Sequence, residues 1–178
     1  MEKIKFFTPF TDKTIESLRY GDEILLSGDI FTGRDAAHKR MIGMLDNNLP
    51  LPFNISGQAI YYAGPCPAPP GRVIGSIGPT TSKRMDIYSP RLIKEGLRVM
   101  IGKGARGSQV SHAICKYKGL YLTAVGGAAA LLSLCVKDAQ LVAFEDLGTE
   151  AVYKLSIHEM PLVVAIDCKG GNIYEYRK

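Results

Sequence analysis

Ile77-Gly78-Pro79-Thr80-Thr81-Ser82-Lys83-Arg84-Met85-Asp86 reads as the end of an apolar strand, a turn, and the start of a helix. Gly78 frees the backbone. Pro79, with a fixed φ and no N–H, suits the first helical turn. Thr80 and Thr81 then fall at the helix N-terminus, where unpaired N–H groups and the dipole favour an anion. Arg84 follows Thr80 by four residues, one turn on along the same face. A hydroxyl and a planar, two-pronged guanidinium on one spot suit a carboxylate or a phosphate. The same stretch also reads as a capped helix with solvated charges, so locally it speaks for a fold before it speaks for a function.

Strand and helix signals alternate on both sides of it. Ile4 and Phe6 alternate ahead of Pro9, and Thr11 can cap a short helical turn. Residues 23–31 read as a strand with Gly28 as a bulge. Residues 36–45 read as a helix capped by Thr32 or Asp35, with Ala37, Met41, Met44 and Leu45 on one stripe. Arg34 falls at the junction of the two, and His38 one turn inside the helix. A strand at 59–63, a loop with four prolines at 64–71 and strand signals at 72–77 lead into the opening stretch. Beyond it come a helical segment at 90–94 stopped by Gly96, a strand at 97–101 and a glycine-rich loop at 102–107 carrying two cations, Lys103 and Arg106. A helix at 108–117 and a strand at 119–125 follow. Gly126-Gly127 then opens an apolar helix through residue 136, whose small residues suit close packing on a sheet. Strands at 140–146 and 162–167, mixed signals at 152–157, and a Gly170-Gly171-Asn172 turn into residues 173–176 complete the chain. We expect an α/β fold: one layered domain over residues 1–178, core about 20–176, with a mixed sheet and flanking helices.

Composition agrees. The 178 residues are 46% hydrophobic and 22% charged, the balance of a globular domain large enough to bury a core. No apolar run approaches the ~20 residues of a membrane helix. The opening MEKIKFFTPF lacks the apolar stretch of a signal peptide, so the expected location is cytoplasmic. Cys66, Cys115, Cys135 and Cys168 form no C-x-x-C pair, and three lie in apolar segments. They read as buried free thiols, with Cys66 in its proline loop as the accessible one. The net charge of +5 suits a small anionic substrate. The basic residues are scattered, with no aromatic ladder, so nucleic-acid binding ranks last. The loop at 102–107 lacks the phosphate-loop spacing, and the Gly126-Gly127 pair opens no G-x-G-x-x-G of its own.

Three motifs carry a resemblance: Gly33-Arg34-Asp35-Ala36-Ala37-His38, Gly78-Pro79-Thr80-Thr81 with Arg84-Met85-Asp86, and Ile101-Gly102-Lys103-Gly104. In this order and spacing the chain resembles the β subunit, or C-terminal region, of class I iron–sulfur fumarate hydratases and L(+)-tartrate dehydratases, over about residues 20–176. The resemblance implies a swivelling β/β/α domain that supplies half of an active site. It implies a partner α subunit whose cysteines hold a [4Fe–4S] cluster, with no metal ligand on this chain, in a homo- or hetero-oligomer. The implied reaction is reversible hydration of fumarate to L-malate, with dehydration of tartrate as the near rival. Thr80 then matches the catalytic base. Arg34, Arg84 and Lys103 match the groups that hold the substrate's carboxylates, with Thr81 and His38 beside them. Ser82-Lys83 departs from the family, which often has a small residue and a glycine there. A non-catalytic dicarboxylate-binding or scaffolding module is the alternative of a different class.

Overall fold

The computed structural model describes residues 3–124 and 129–175. Its sheet is built from β1 (Ile4–Phe7), β2 (Glu23–Thr32), β3 (Ala59–Tyr61), β4 (Val99–Gly102), β5 (Leu120–Thr123), β6 (Val136–Ala143) and β7 (Val152–Ile166). The helices are α1 (Asp12–Ser17), α2 (Asp35–Asp46), α3 (Ser89–Lys94), α4 (Ser108–Tyr117) and α5 (Ala129–Leu134). Strands β1 to β5 pair in parallel, in sequence order. Because parallel neighbours need crossovers, α2, α3 and α4 return the chain along the outside of the sheet.

The 15-residue β7 closes the structure. It runs antiparallel to β2, β5 and β6. Its pairing to both β2 and β5 joins those two strands, so β2, β3, β4, β5 and β7 form a closed barrel, with β1 and β6 outside the ring. Closure makes every central strand two-sided, which is why these strands are short continuous apolar runs. Ala59, Tyr61, Val99, Ile101, Leu120 and Leu122 join one core cluster. Their alternating neighbours Ile60, Met100 and Tyr121 join a second, with Met41 of α2, Leu92 of α3 and Ile114 of α4. The architecture is the expected single α/β domain, a mixed barrel flanked by helices.

Several local readings hold. Thr11 caps α1 in a reciprocal box with Thr14. α4 spans residues 108–117. β2 shifts register between Leu26 and Gly28, and Gly28 has φ +112°. Others need correction. Residues 72–77 form no strand, since they have no neighbouring strand to pair with: Ile74 and Ile77 are buried while Arg72, Val73 and Ser76 face out. The mixed signals at 152–157 belong to β7 itself. The helix read from Pro79 is a single 3-10 turn at Ser82–Met85. Neither Thr32 nor Asp35 caps α2. Arg34 stands at that position without a side-chain bond, because the Thr32 hydroxyl bonds Ala151 and Tyr153 across to β7. After β7 the chain turns back through a lone Ile166–Asn172 bridge rather than a strand over 173–176; Tyr176, Val125 and the Gly126-Gly127 pair lie outside the described residues. Cys115 is exposed, as Cys66 is.

A β-carbon at Gly28 would collide with Thr8 Oγ1. Gly28→Ala should therefore lower unfolding stability by about 1–3 kcal/mol, from strain and contact together. In urea unfolding the midpoint should fall with little change in slope. Adding Thr8→Ala should restore only part of the loss, because the positive φ remains.

Candidate active site

The motif residues gather at one end of the barrel, the C-terminal ends of the parallel strands, where open α/β sheets commonly place ligands. β2 ends and delivers Arg34 to the start of α2. Gly33 N–H donates to the Tyr61 carbonyl at the end of β3. One residue on, Tyr62 N–H donates to the Ile101 carbonyl of β4. The Tyr62 carbonyl accepts both the Thr80 N–H, at 2.7 Å, and the Thr80 hydroxyl, at 2.8 Å. Thr81 forms a parallel bridge with Lys103, just past β4. Arg84 reaches back to α2 and grips Asp35 through two bonds, Nε to Oδ1 at 3.0 Å and Nη2 to Oδ2 at 2.5 Å. Three stretches far apart in sequence are thus tied into one surface.

Each group has a definite state. Arg84 is about half exposed, at 53%. Its pair with Asp35 holds that carboxyl below the usual carboxylate range. The pair uses one edge of the guanidinium and leaves donors on the Nη1 edge. Arg34 faces Glu150 at 3.4 Å, and its buried Nε has no hydrogen-bond partner among the described residues. Lys103 is exposed between Gly102 and Gly104. Thr81 and Lys83 are exposed, and Thr80 is half-buried. Thr80 precedes the 3-10 turn rather than opening a helix, so the helical face once expected to align it with Arg84 does not exist. A turn of four residues also offers little dipole to an anion.

His38 is fully buried. Its Nδ1 lies 2.9 Å from the Arg34 carbonyl, an acceptor, so Nδ1 carries the proton and donates. Nε2 is buried without a partner among the described residues. The ring meets Tyr62 edge-on at 5.2 Å. Burial pushes its pKa down to about 4, against the opposing bond to Arg34. His38 is therefore a neutral imidazole at neutral pH, and it braces the Arg34 backbone from within.

Motif reading missed two residues. Glu150 stands in no recognised motif, yet it faces Arg34 from the 3-10 turn Glu145–Glu150 that precedes β7. Arg106 reads from sequence only as a second cation of the glycine-rich loop, with no role; it is buried beneath the site. A charged residue in a loop that leads into an apolar helix was the available signal. A hollow of about 550 Å³ along α2 is lined by Ala36, Lys39, Met44 and Leu147 among others and by none of the expected site residues.

The chain matches the Fumarase C-terminus family over residues 1–177. It belongs to that family. It is 40% identical over 175 residues to a putative L(+)-tartrate dehydratase subunit beta of Methanocaldococcus jannaschii, covering 95% of this chain and 90% of that one. It is 40% identical over 152 residues to the aerobic class I fumarate hydratase of Escherichia coli K12, covering 84% of this chain and 28% of the enzyme. Fumarate hydratase 2 of Leishmania major is 39% identical over 156 residues, 86% of this chain and 28% of that enzyme. The chain therefore spans under a third of these fumarate hydratases and most of the tartrate dehydratase subunit.

The four thiols do not fit an iron–sulfur cluster. They lie on a loop, on α4, after α5 and after β7, and among the described residues no three His, Cys, Asp or Glu side chains group to hold a metal. Likewise, no helix among the described residues is long and apolar enough to cross a membrane.

The buried state of His38 gives the fold a pH signature. Its folded pKa lies below the unfolded value, so acid favours the unfolded chain. Its contribution is fully present above about pH 6.5 and is lost as pH falls towards 4, a total of roughly 3 kcal/mol. Unfolding free energies of wild type and His38→Gln, measured from pH 7 to 4, should diverge in slope by nearly one proton. Parallel curves would place the imidazole in contact with water.

Proposed function

We propose that this chain is the β-type half of a hydro-lyase that adds water reversibly across fumarate to give L-malate. The observation that carries the reading is the convergence of Arg34, the Thr80–Thr81 turn, Arg84 and Lys103 at one barrel end. A four-carbon dicarboxylate needs cationic donors at both of its ends, and three separate stretches supply them. Arg84 would offer its Nη1 edge, Lys103 its exposed ammonium, and Arg34 the guanidinium that Glu150 now faces. Charge-assisted bonds of this sort are the strong ones. Thr81, bridged to Lys103, and His38, braced on Arg34, would keep two of the cations in register.

In the hydration, hydroxide adds to one alkene carbon and a proton to the other; in the reverse direction a base removes that proton from the carbon beside a carboxylate. Thr80 is the candidate for this proton. Its hydroxyl now donates to the Tyr62 carbonyl, which fixes the oxygen but favours the protonated form. Thr80 would therefore have to release that bond when Arg84, Lys103 and substrate come together. The cysteines here do not fit a cluster, so on this reading the [4Fe–4S] group belongs to a separate α subunit, and this chain alone is inactive. Dehydration of L(+)-tartrate is the second reading, favoured by the near end-to-end match to a protein named as a tartrate dehydratase β subunit.

The test is turnover of fumarate, then tartrate, under anaerobic conditions. It uses this chain combined with a cluster-loaded α-type partner from the same source, and each alone as control. Activity only in the mixture is expected. A formed complex with an intact cluster and no turnover of either substrate would favour a binding module. In the active complex Arg84→Ala should lower kcat/KM about ten- to a hundredfold, the cost of one charge-assisted contact. Arg84 is exposed, so the variant should keep its circular dichroism spectrum and melting behaviour.

A further inference from the structure

One buried cation lies a single side chain away from the candidate groups on three sides. The Arg106 side chain is fully buried, with Nε 2.6 Å from Asp86 Oδ1. Its guanidinium lies between two tyrosine rings, 4.9 Å from the centre of Tyr121 and 5.2 Å from that of Tyr62. Nη2 donates to Ser89 Oγ at 2.8 Å, and that hydroxyl lies 3.0 Å from Tyr62 Oη. We propose that Arg106 is a positioning residue of the candidate site, setting Lys103 through Tyr121 and Thr80 through Tyr62.

The route to Lys103 is short. Tyr121 Oη lies 2.8 Å from the Gly104 carbonyl and 2.9 Å from Ser82 Oγ. Ser82 Oγ in turn accepts the Lys103 N–H at 2.9 Å, and Ser82 N–H donates to the Lys103 carbonyl at 3.1 Å. Lys103 has glycine on both sides. Gly104 holds φ +83°, and a β-carbon on Gly102 would collide with Ser82 Oγ. The segment has little stiffness of its own, so the Tyr121–Ser82 pair supplies it. The route to Thr80 runs through Tyr62, whose ring faces Arg106 and whose carbonyl holds the Thr80 hydroxyl. Asp86 completes the frame. It ends the turn that carries Arg84, and its Oδ2 takes the Gly107 N–H at 2.6 Å, pinning that turn to the Lys103 loop. Buried ion pairs contribute little net stability compared with apolar packing, so the geometry this one imposes is the better account of its place here.

The proposal rests on the dicarboxylate reading, and two variants test it in the complex with the cluster-loaded partner. Arg106→Lys keeps the charge but loses the planar fork that spans Asp86 and Ser89. Tyr121→Phe removes one oxygen and keeps the ring. We expect kcat/KM to fall at least about tenfold in Arg106→Lys. In Tyr121→Phe we expect KM to rise by about tenfold with kcat little changed, since the lost bond orders a binding cation. That rise should vanish in a Lys103→Ala background, which loss of stability alone would not produce. Folded variants with wild-type kinetics, while Arg84→Ala remains impaired, would overturn the proposal and leave the site standing. If Arg106→Lys does not fold, Tyr121→Phe decides. If the wild-type complex turns over neither substrate, the functional reading fails, and amide exchange at Lys103 decides the positioning claim. Faster exchange in Tyr121→Phe supports it, and unchanged exchange overturns it.

Discussion

The antiparallel pairing of β7 to both β2 and β5 is the constraint on which the rest depends. Without it the parallel strands β2 to β5 would leave open edges on β2 and β5, each a row of unpaired N–H and C=O groups. β7 is long enough to serve both. It lies along β2 from Lys154 to Val163, and along β5 from Val163 to Ile166. Its register against β2 shifts beside Glu159, which has φ +49°, opposite the Gly28 bulge. Closure brings the ends of β2, β3 and β4 round to one rim, so that loops distant in sequence can exchange side-chain contacts. The Arg84–Asp35 pair and the Thr81–Lys103 bridge follow from that rim.

Sequence alone carried much of this, where local chemistry decides local structure. The helix at 108–117 and the Thr11 cap are settled by neighbouring residues, and both were legible. Gly28 was legible as a bulge because a glycine inside a strand has few other uses. The failures share a cause. Residues 72–77 have the composition of a strand, but strand formation needs a partner, and the closed barrel offers none there. Pro79 can open a helix, yet the chain at Thr80 is held by the Tyr62 carbonyl and at Thr81 by Lys103, so helix begins only at Ser82 and lasts one turn. Tertiary hydrogen bonds overrode a valid local preference.

The site divides the same way. Arg34, Thr80, Arg84 and Lys103 were legible through motifs, and the fold brings them to one rim. Their counter-charges were not legible. Asp35 adjoins Arg34 in sequence but pairs with Arg84, and Glu150 comes from the far side of the fold. Arg106 had been classed with Lys103 as a loop cation, although one is fully buried and the other exposed. Charge and sequence position describe a side chain's chemistry. They do not say which of two neighbouring loop residues turns inward, because that depends on the tyrosines of β5 and of the segment after β3.

The electrostatics of the rim bear on how it can work. Arg34, Arg84 and Lys103 bring three positive charges, and Asp35 and Glu150 offset two of them, while His38 is neutral. On the proposed reading, a dianionic substrate would meet these three cations with two of them already offset, rather than a dense cationic patch. The two offsets differ in kind. Asp35 is bound to Arg84 by two well-formed bonds and orients it, so a substrate can use the free edge without breaking the pair. Glu150 faces Arg34 at 3.4 Å without a hydrogen bond from the buried Nε, a contact with Coulomb attraction but no directional bond. A substrate carboxylate with better geometry can displace such a partner at low cost. Gly148, with φ +59°, kinks the 3-10 turn two residues before Glu150. On the proposed reading, the doubly bonded Arg84–Asp35 pair would present a fixed edge to one carboxylate, while the other would compete with Glu150 for Arg34.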